Sequence, residues 1–177
     1  QRPDYIVMGE VRGKEAFVLF QQMATGHSSL ATIHAASIKQ LVDRLTTPPI
    51  SLPPSLIENV NIVVFLVLSR MGGRHVRRAN NILEITGIEG NRPKTSSIFK
   101  WNPAEDRFHI DEESVVLRTI SQRQGIGERE IIDEMARRRN IIEWMYNQNI
   151  FDYREVARII STYYSDPERI LLAVEDT

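Results

Sequence analysis

The stretch QRPDYIVMGEVRGKEAFVLFQQMATGHSSLATIHAAS, Gln1 to Ser37, decides how this chain is read. Asp4-Tyr-Ile-Val-Met8 is β-branched, aromatic and apolar, the composition of a buried strand, and it runs into Gly9-Glu10. From Gly13 to Thr25 the residues Ala16, Phe17, Phe20, Met23 and Ala24 recur at helical spacing, and Gly26 supplies a C-terminal stop. Ser29 to Ile33 predicts a second strand, bracketed by His27 and His34, and Ser37 is placed to cap a helix through Leu45. Strand, helix, strand, helix with short links predicts an α/β fold whose sheet is mostly parallel with crossover helices.

Working outward, the Pro-rich segment Thr47-Pro-Pro-Ile-Ser-Leu-Pro-Pro54 is a non-helical, semi-rigid connector, followed by a short helical turn from Ser55 to Val60. Ile62-Val-Val-Phe-Leu-Val-Leu68 is a near-continuous apolar run, which predicts a strand buried on both faces. Met71-Gly-Gly-Arg74 is a turn, and Val76 to Ile88 returns as a strand. Gly90-Asn-Arg-Pro93 breaks the pattern, and Ser97 to Trp101 with Arg107 to Ile110 predicts a small hairpin. Beyond Asp111 the pattern is helical. One helix starts at Asp111 or Ser114 and ends near Arg123, before Gly125-Ile-Gly127. A long one, Glu128 to Asn147, carries Ile131, Met135, Ile142 and Met145 on one stripe. Asp152 caps Tyr153 to Tyr164, and Asp166-Pro167 opens the last. The expected organisation is an α/β part over residues 1–92, a hairpin connector over 93–110 and a helical subdomain over 111–177.

With 42% hydrophobic residues in 177, the chain has enough apolar material for a sizeable core. A net charge of −1 provides no global field for nucleic acid or an anionic membrane. The absence of Cys excludes disulfides, thiolate metal sites and a cysteine nucleophile. No basic-then-apolar leader opens the sequence. The longest apolar run is far short of the ~20 residues that span a bilayer, so a membrane role is expected only through partners. Gln1 stands directly before a strand with no initiator Met, which reads as a piece of a longer protein.

A carboxylate at the tip of a parallel strand, as predicted for Glu10, sits where open α/β sheets bind ligands. There it can orient a water, accept its proton or hold Mg²⁺ through water, or it can simply be a solvated strand-end residue. Arg12 can meet phosphate, a neighbouring subunit's ligand or a surface carboxylate. His27 and His34 are seven residues apart, a spacing unlike a helical metal pair, and no carboxylate cluster completes a metal site. Each is either a structural histidine or a donor to a phosphate group. Arg70-Met-Gly-Gly-Arg-His-Val-Arg-Arg78 is locally basic but lacks interleaved aromatics, which favours a solvated or subunit-facing hairpin over a nucleic-acid surface. Arg137-Arg-Arg139 reads as a solvated face paired with Glu134 and Glu143, and Trp101, Trp144, Tyr163 and Tyr164 as core or interface anchors. No GxxxxGK[ST] phosphate loop occurs in the sequence.

Taken together, these residues resemble the secretion-superfamily ATPases, the hexameric motors of type II secretion, type IV pili, type IV secretion and the archaellum. Arg2-Pro-Asp-Tyr-Ile-Val-Met-Gly-Glu-Val-Arg12 is similar to the family's Walker B stretch, with Glu10 at the catalytic glutamate position. Ala24-Thr-Gly-His-Ser-Ser-Leu-Ala-Thr-Ile-His34 is similar to its His box, with both histidines in register. Gly72-Gly-Arg74 and Ile82-Leu-Glu-Ile85 resemble a later hairpin of the same core. Phe99-Lys-Trp-Asn-Pro103 and Tyr163-Tyr-Ser-Asp-Pro167 resemble the archaeal branch. The resemblance implies a partial RecA-like core, with the Walker A half absent, followed by a helical C-terminal region. It implies ATP and Mg²⁺ as cofactors, with Glu10 activating the attacking water and facing Mg²⁺ through water. It further implies that His27 and His34 read the γ-phosphate region, and that Gly9, Arg12 and Gly26 lie against the nucleotide. The partners it implies are five further copies in a ring and a polytopic membrane platform protein, with no nucleic acid. The place it implies is the cytoplasmic face of the cell membrane.

Overall fold

A computed structural model of the chain describes residues 3–90, 92–111 and 113–175. The contacts divide into two compact units, residues 1–116 and 117–177.

In the first unit, β1 (Tyr5–Met8) lies parallel to β2 (Ser28–Ala31), with Tyr5 opposite Ser28 and Met8 opposite Ala31. The crossover between them is α1 (Glu15–Ala24), and β2 leads into α2 (Ile38–Thr46). Ser37 caps α2 as its residue type predicts, its hydroxyl accepting from Gln40 N–H. Glu15 reaches back to accept from the N–H groups of Arg12 and Gly13, both at 2.7 Å, so the turn that leads into α1 is fixed by the helix's own first side chain. The buried residues of α1 are Ala16, Leu19 and Phe20, whereas Phe17 is exposed, so the apolar stripe is rotated from the one its spacing predicts. The connector from Thr47 leads to the short α3 (Pro54–Ile57).

The rest of the unit departs from a parallel sheet. Strands β3 (Ile62–Met71), β4 (Arg74–Glu89), β5 (Arg92–Asn102) and β6 (Arg107–Ile110) form an antiparallel four-stranded meander in that order. The cause is the link between β3 and β4. Gly72 and Gly73 both adopt positive φ, the requirement of a two-residue hairpin turn, and such a turn permits only antiparallel pairing. Because β5 pairs with β4 as well as with β6, the predicted small hairpin continues this sheet.

The expectation that Ile62 to Leu68 is buried on both faces is also corrected. Exposure alternates along β3, with Ile62, Val64, Leu66 and Leu68 on the open face. On the other face, Val63 packs with Ile85 against a core of Val11, Ala16, Leu19, Phe20, Leu41, Leu45, Ile50, Leu52 and Ile57. The core lies on the Val63 side of the strand, so a continuous apolar run ends up half exposed. Among the described residues one carboxylate enters the interior: Glu84 is 3% exposed and accepts from the Ser114 hydroxyl at 2.5 Å and from Val115 N–H at 2.7 Å, where α4 (Val115–Gln124) begins.

The second unit contains α5 (Glu128–Asn147), α6 (Tyr153–Ser165) and α7 (Pro167–Glu175). Asp152 caps α6, accepting from Arg154 and Glu155 N–H. Ile141, Met145, Ile159, Tyr163 and Ile170 form the core. Ile131 and Met145 are buried as their spacing predicts, but Ile141 takes the place expected of Ile142, and Met135 and Ile142 face out. Glu134 accepts from Tyr163 Oη at 2.8 Å and from Arg138 Nε at 2.7 Å, pinning α5 to α6. Tyr164 is exposed, with the Arg138 guanidinium 5.6 Å above its ring, so of the two adjacent tyrosines only Tyr163 anchors the core. Among the described residues no helix is long and apolar enough to cross a membrane.

Candidate functional site

Parallel pairing sends both β1 and β2 toward the same edge of the sheet, so the residues that follow them are delivered together. Glu10 follows β1 and His34 follows β2. His34 Nε2 stands 3.3 Å from Glu10 Oε1, and Arg12 Nη2 donates to Glu10 Oε2 at 2.5 Å. Each carboxylate oxygen therefore has its own basic neighbour. The side chain of Glu10 is 24% exposed, against 79% for His34, so the carboxylate is set back and the imidazole opens to solvent.

Arg12's hydrogen bond is the largest influence on Glu10 and holds its carboxyl below the ordinary carboxylate range. Partial burial opposes this, and the charges of Arg12, His34 and Arg44 add to the lowering. The pairing raises the Arg12 guanidinium in turn. Glu10 is thus ionised at neutral pH, as a proton acceptor must be. Arg12 and Arg44 bring positive charge near it, and the His34 imidazole stands beside them, an arrangement suited to an oxyanion.

Three contributors were not legible from residue spacing. The Thr32 hydroxyl donates to the Gly9 carbonyl, and Thr32 O accepts from Val11 N–H at 2.8 Å, so Thr32 touches both neighbours of Glu10. Arg44 donates to the His34 carbonyl at 3.3 Å. Glu15 fixes the Arg12–Gly13 backbone, as described above. The first two contacts join residues 23 and 10 positions apart, and nothing periodic in the sequence marks them.

His27 is not brought to Glu10. It precedes β2, at the amino end of the strand, with Nδ1 3.0 Å from the Thr25 hydroxyl. At about 3.3 Å per residue, it stands up to roughly 23 Å from His34. Gly26 turns the chain there with φ of 91°, and Gly9 has open space where a side chain would project. For Mg²⁺, the described residues contain no group of three His, Asp or Glu able to hold a metal. Glu10, paired with Arg12 and 3.3 Å from His34, is the carboxylate at the site that could face a Mg²⁺ ion through water.

These features define a class: an α/β protein with a carboxylate, an imidazole and a guanidinium gathered at the carboxyl ends of two parallel strands. The particular family follows from comparison with known proteins. Residues 1–150 match the family of type II/IV secretion system proteins, and the chain belongs to that family. It is 43% identical over 143 residues to an uncharacterized protein of Methanocaldococcus jannaschii, covering 78% of this chain and 52% of that protein. It is 38% identical over 169 residues to a second protein of the same archaeon, covering 92% of this chain and 31% of that one. It is 37% identical over 87 residues to the type IV secretion system protein PtlH of Bordetella pertussis, covering 43% of this chain and 25% of PtlH. The chain thus spans about half the length, or less, of the curated relatives it matches.

Proposed function

We propose that this chain is part of a hexameric, Mg-ATP-hydrolysing motor. It would power assembly of a type IV pilus-like filament or archaellum, or type II/IV protein secretion, against a polytopic membrane platform protein at the cytoplasmic face of the membrane. The observation that carries the reading is the Glu10–His34 approach of 3.3 Å at the ends of paired parallel strands, within a type II/IV secretion family chain. In this reading residues 1–92 are the second half of a RecA-like core, the hairpin connects, and the helical tail docks.

Glu10, ionised and set back, accepts the proton of the attacking water. Arg12 and His34 stand where negative charge develops on a transferred phosphoryl group. When bound, Mg²⁺ would supply charge neutralisation on the phosphates, and Glu10 would face it through water. His27 acts only on a group that reaches the amino end of β2. The test is ATP hydrolysis by the full-length protein carrying Glu10→Gln. A rate reduced by about 10²-fold or more is expected from loss of a general base, and a parental rate rejects the assignment.

A second reading makes the chain a non-catalytic oligomerisation and partner-docking module. One observation favours it: Tyr146, Phe151, Tyr153 and Tyr164 are exposed on the helical unit. Removing residues 117–177 from the full-length protein should then weaken ring assembly or platform binding. Unchanged assembly and binding count against it.

A further inference from the structure

The β1–β2 ladder ends at Met8 and Ala31, yet Glu10 and His34 lie beyond it. What carries the alignment further is Thr32. In a parallel ladder one residue bonds to both neighbours of the residue opposite it. Thr32 makes this pattern around Glu10, with its side-chain hydroxyl serving the Gly9 carbonyl and its own carbonyl serving Val11 N–H at 2.8 Å. Thr32 is two residues before His34, and Arg44 holds the His34 carbonyl from α2 at 3.3 Å. The segments bearing the two groups are therefore tied to each other immediately beside them. Both of these Thr32 contacts fall on the backbone flanking Glu10, not on its carboxylate or on the imidazole.

We infer that Thr32 is the positioning residue that sets the Glu10–His34 distance, by locking the Gly9–Val11 backbone to the chain leading into His34. This rests on the Glu10–His34 pair being the working part of the site, as in the function proposed above. A hydroxyl is required because the Gly9 carbonyl needs a donor, and Thr or Ser supplies one where Val cannot.

The test reads the coupling between the two groups in this chain, without ATP. The Glu10 side-chain carboxyl is titrated by carbon-detected NMR, with and without His34→Ala. A protonated imidazole nearby favours the carboxylate, so His34→Ala raises the Glu10 pKa. With Thr32→Val in both members of the pair, that His34-dependent rise should be lost or sharply reduced, and with Thr32→Ser it should persist. A merely structural Thr32 lowers thermal stability but leaves the rise intact, and an equal rise in the Thr32→Val pair overturns the inference. Should Thr32→Val not fold, Thr32→Ala against Thr32→Ser reads the same coupling without and with the hydroxyl, and agreement between those two overturns it equally. If Glu10→Gln leaves ATP hydrolysis unchanged, the motor reading fails while this coupling still stands or falls on its own titration.

Discussion

Asp106 receives both arms of the Arg78 guanidinium, Nε to Oδ1 at 2.8 Å and Nη2 to Oδ2 at 2.7 Å. Trp101 Nε1 adds a third donor to Oδ1 at 2.9 Å. The β5–β6 turn is thereby tied to β4, and the pairing, Arg78 first and then Trp101, holds the Asp106 carboxyl at about 2. A depressed folded-state pKa contributes stability above the unfolded value, and this is lost as pH falls through the folded value. The stability advantage of the parent over Asp106→Asn should therefore be constant near neutrality. It should shrink between about 4 and about 2, the span from the unperturbed to the folded pKa. Thermal unfolding of both chains across that range checks this, and a gap that does not close on acidification contradicts it.

The Glu84 carboxylate makes a different kind of prediction because it is buried. Ser114→Ala removes one donor and leaves the carboxylate its backbone partners, and should cost about 1 kcal/mol. Glu84→Leu takes this acceptor away from Ser114 and from the first N–H groups of α4 together, and should cost more, about 1–3 kcal/mol. Urea titration of the two variants orders them, and equal costs would show that Glu84 does not serve the helix start.

The two faces of the meander are separated by paired truncations. Leu52 is 2% exposed in the core and Leu66 is 78% exposed on β3. Leu52→Ala should destabilise by about 2–5 kcal/mol, and Leu66→Ala by less than about 0.5 kcal/mol. Comparable losses in denaturant unfolding would mean that the open face of β3 is covered in solution.

The two glycines assigned to nucleotide by resemblance differ as backbone positions. Gly26 has φ of 91°, so Gly26→Ala should cost about 1–2 kcal/mol from left-handed strain. Gly9 is outside that region and has nothing within 4 Å of an added Cβ, so Gly9→Ala should leave the melting temperature unchanged. A fall at Gly9 equal to that at Gly26 would refute the distinction. With folding intact, Gly9→Ala in the full-length protein then reports on ligand approach alone.

Much of the local structure was legible because its causes are local. Ser37 and Asp152 cap helices through bonds to residues two or three positions on, and Gly72-Gly73 forces a tight hairpin. Glu10 and His34 were marked by residue type at predicted strand ends. His27 was marked with the same strength, yet it stands at the other end of β2, because a strand separates its ends in space as surely as a helix or loop would. Thr32 lay within the His-box stretch without a role of its own, and Arg44 carried no signal, since each acts across a tertiary contact on a peptide carbonyl. The apolar run in β3 misled for a related reason. Periodicity reports which residues tolerate burial, and only the placement of helices decides which face receives it.

Sequence by itself determined the element order, the caps, the hairpin turn and the presence of an acid and a histidine after two strands, all set by backbone preference and short-range hydrogen bonding. Tertiary structure alone decided that the hairpin of β5 and β6 joins β3 and β4 in one sheet, and that β3 keeps an open face. It decided too that the carboxylate of Glu10 meets His34 rather than His27, because parallel pairing brings together the ends of different strands and keeps apart the two ends of one.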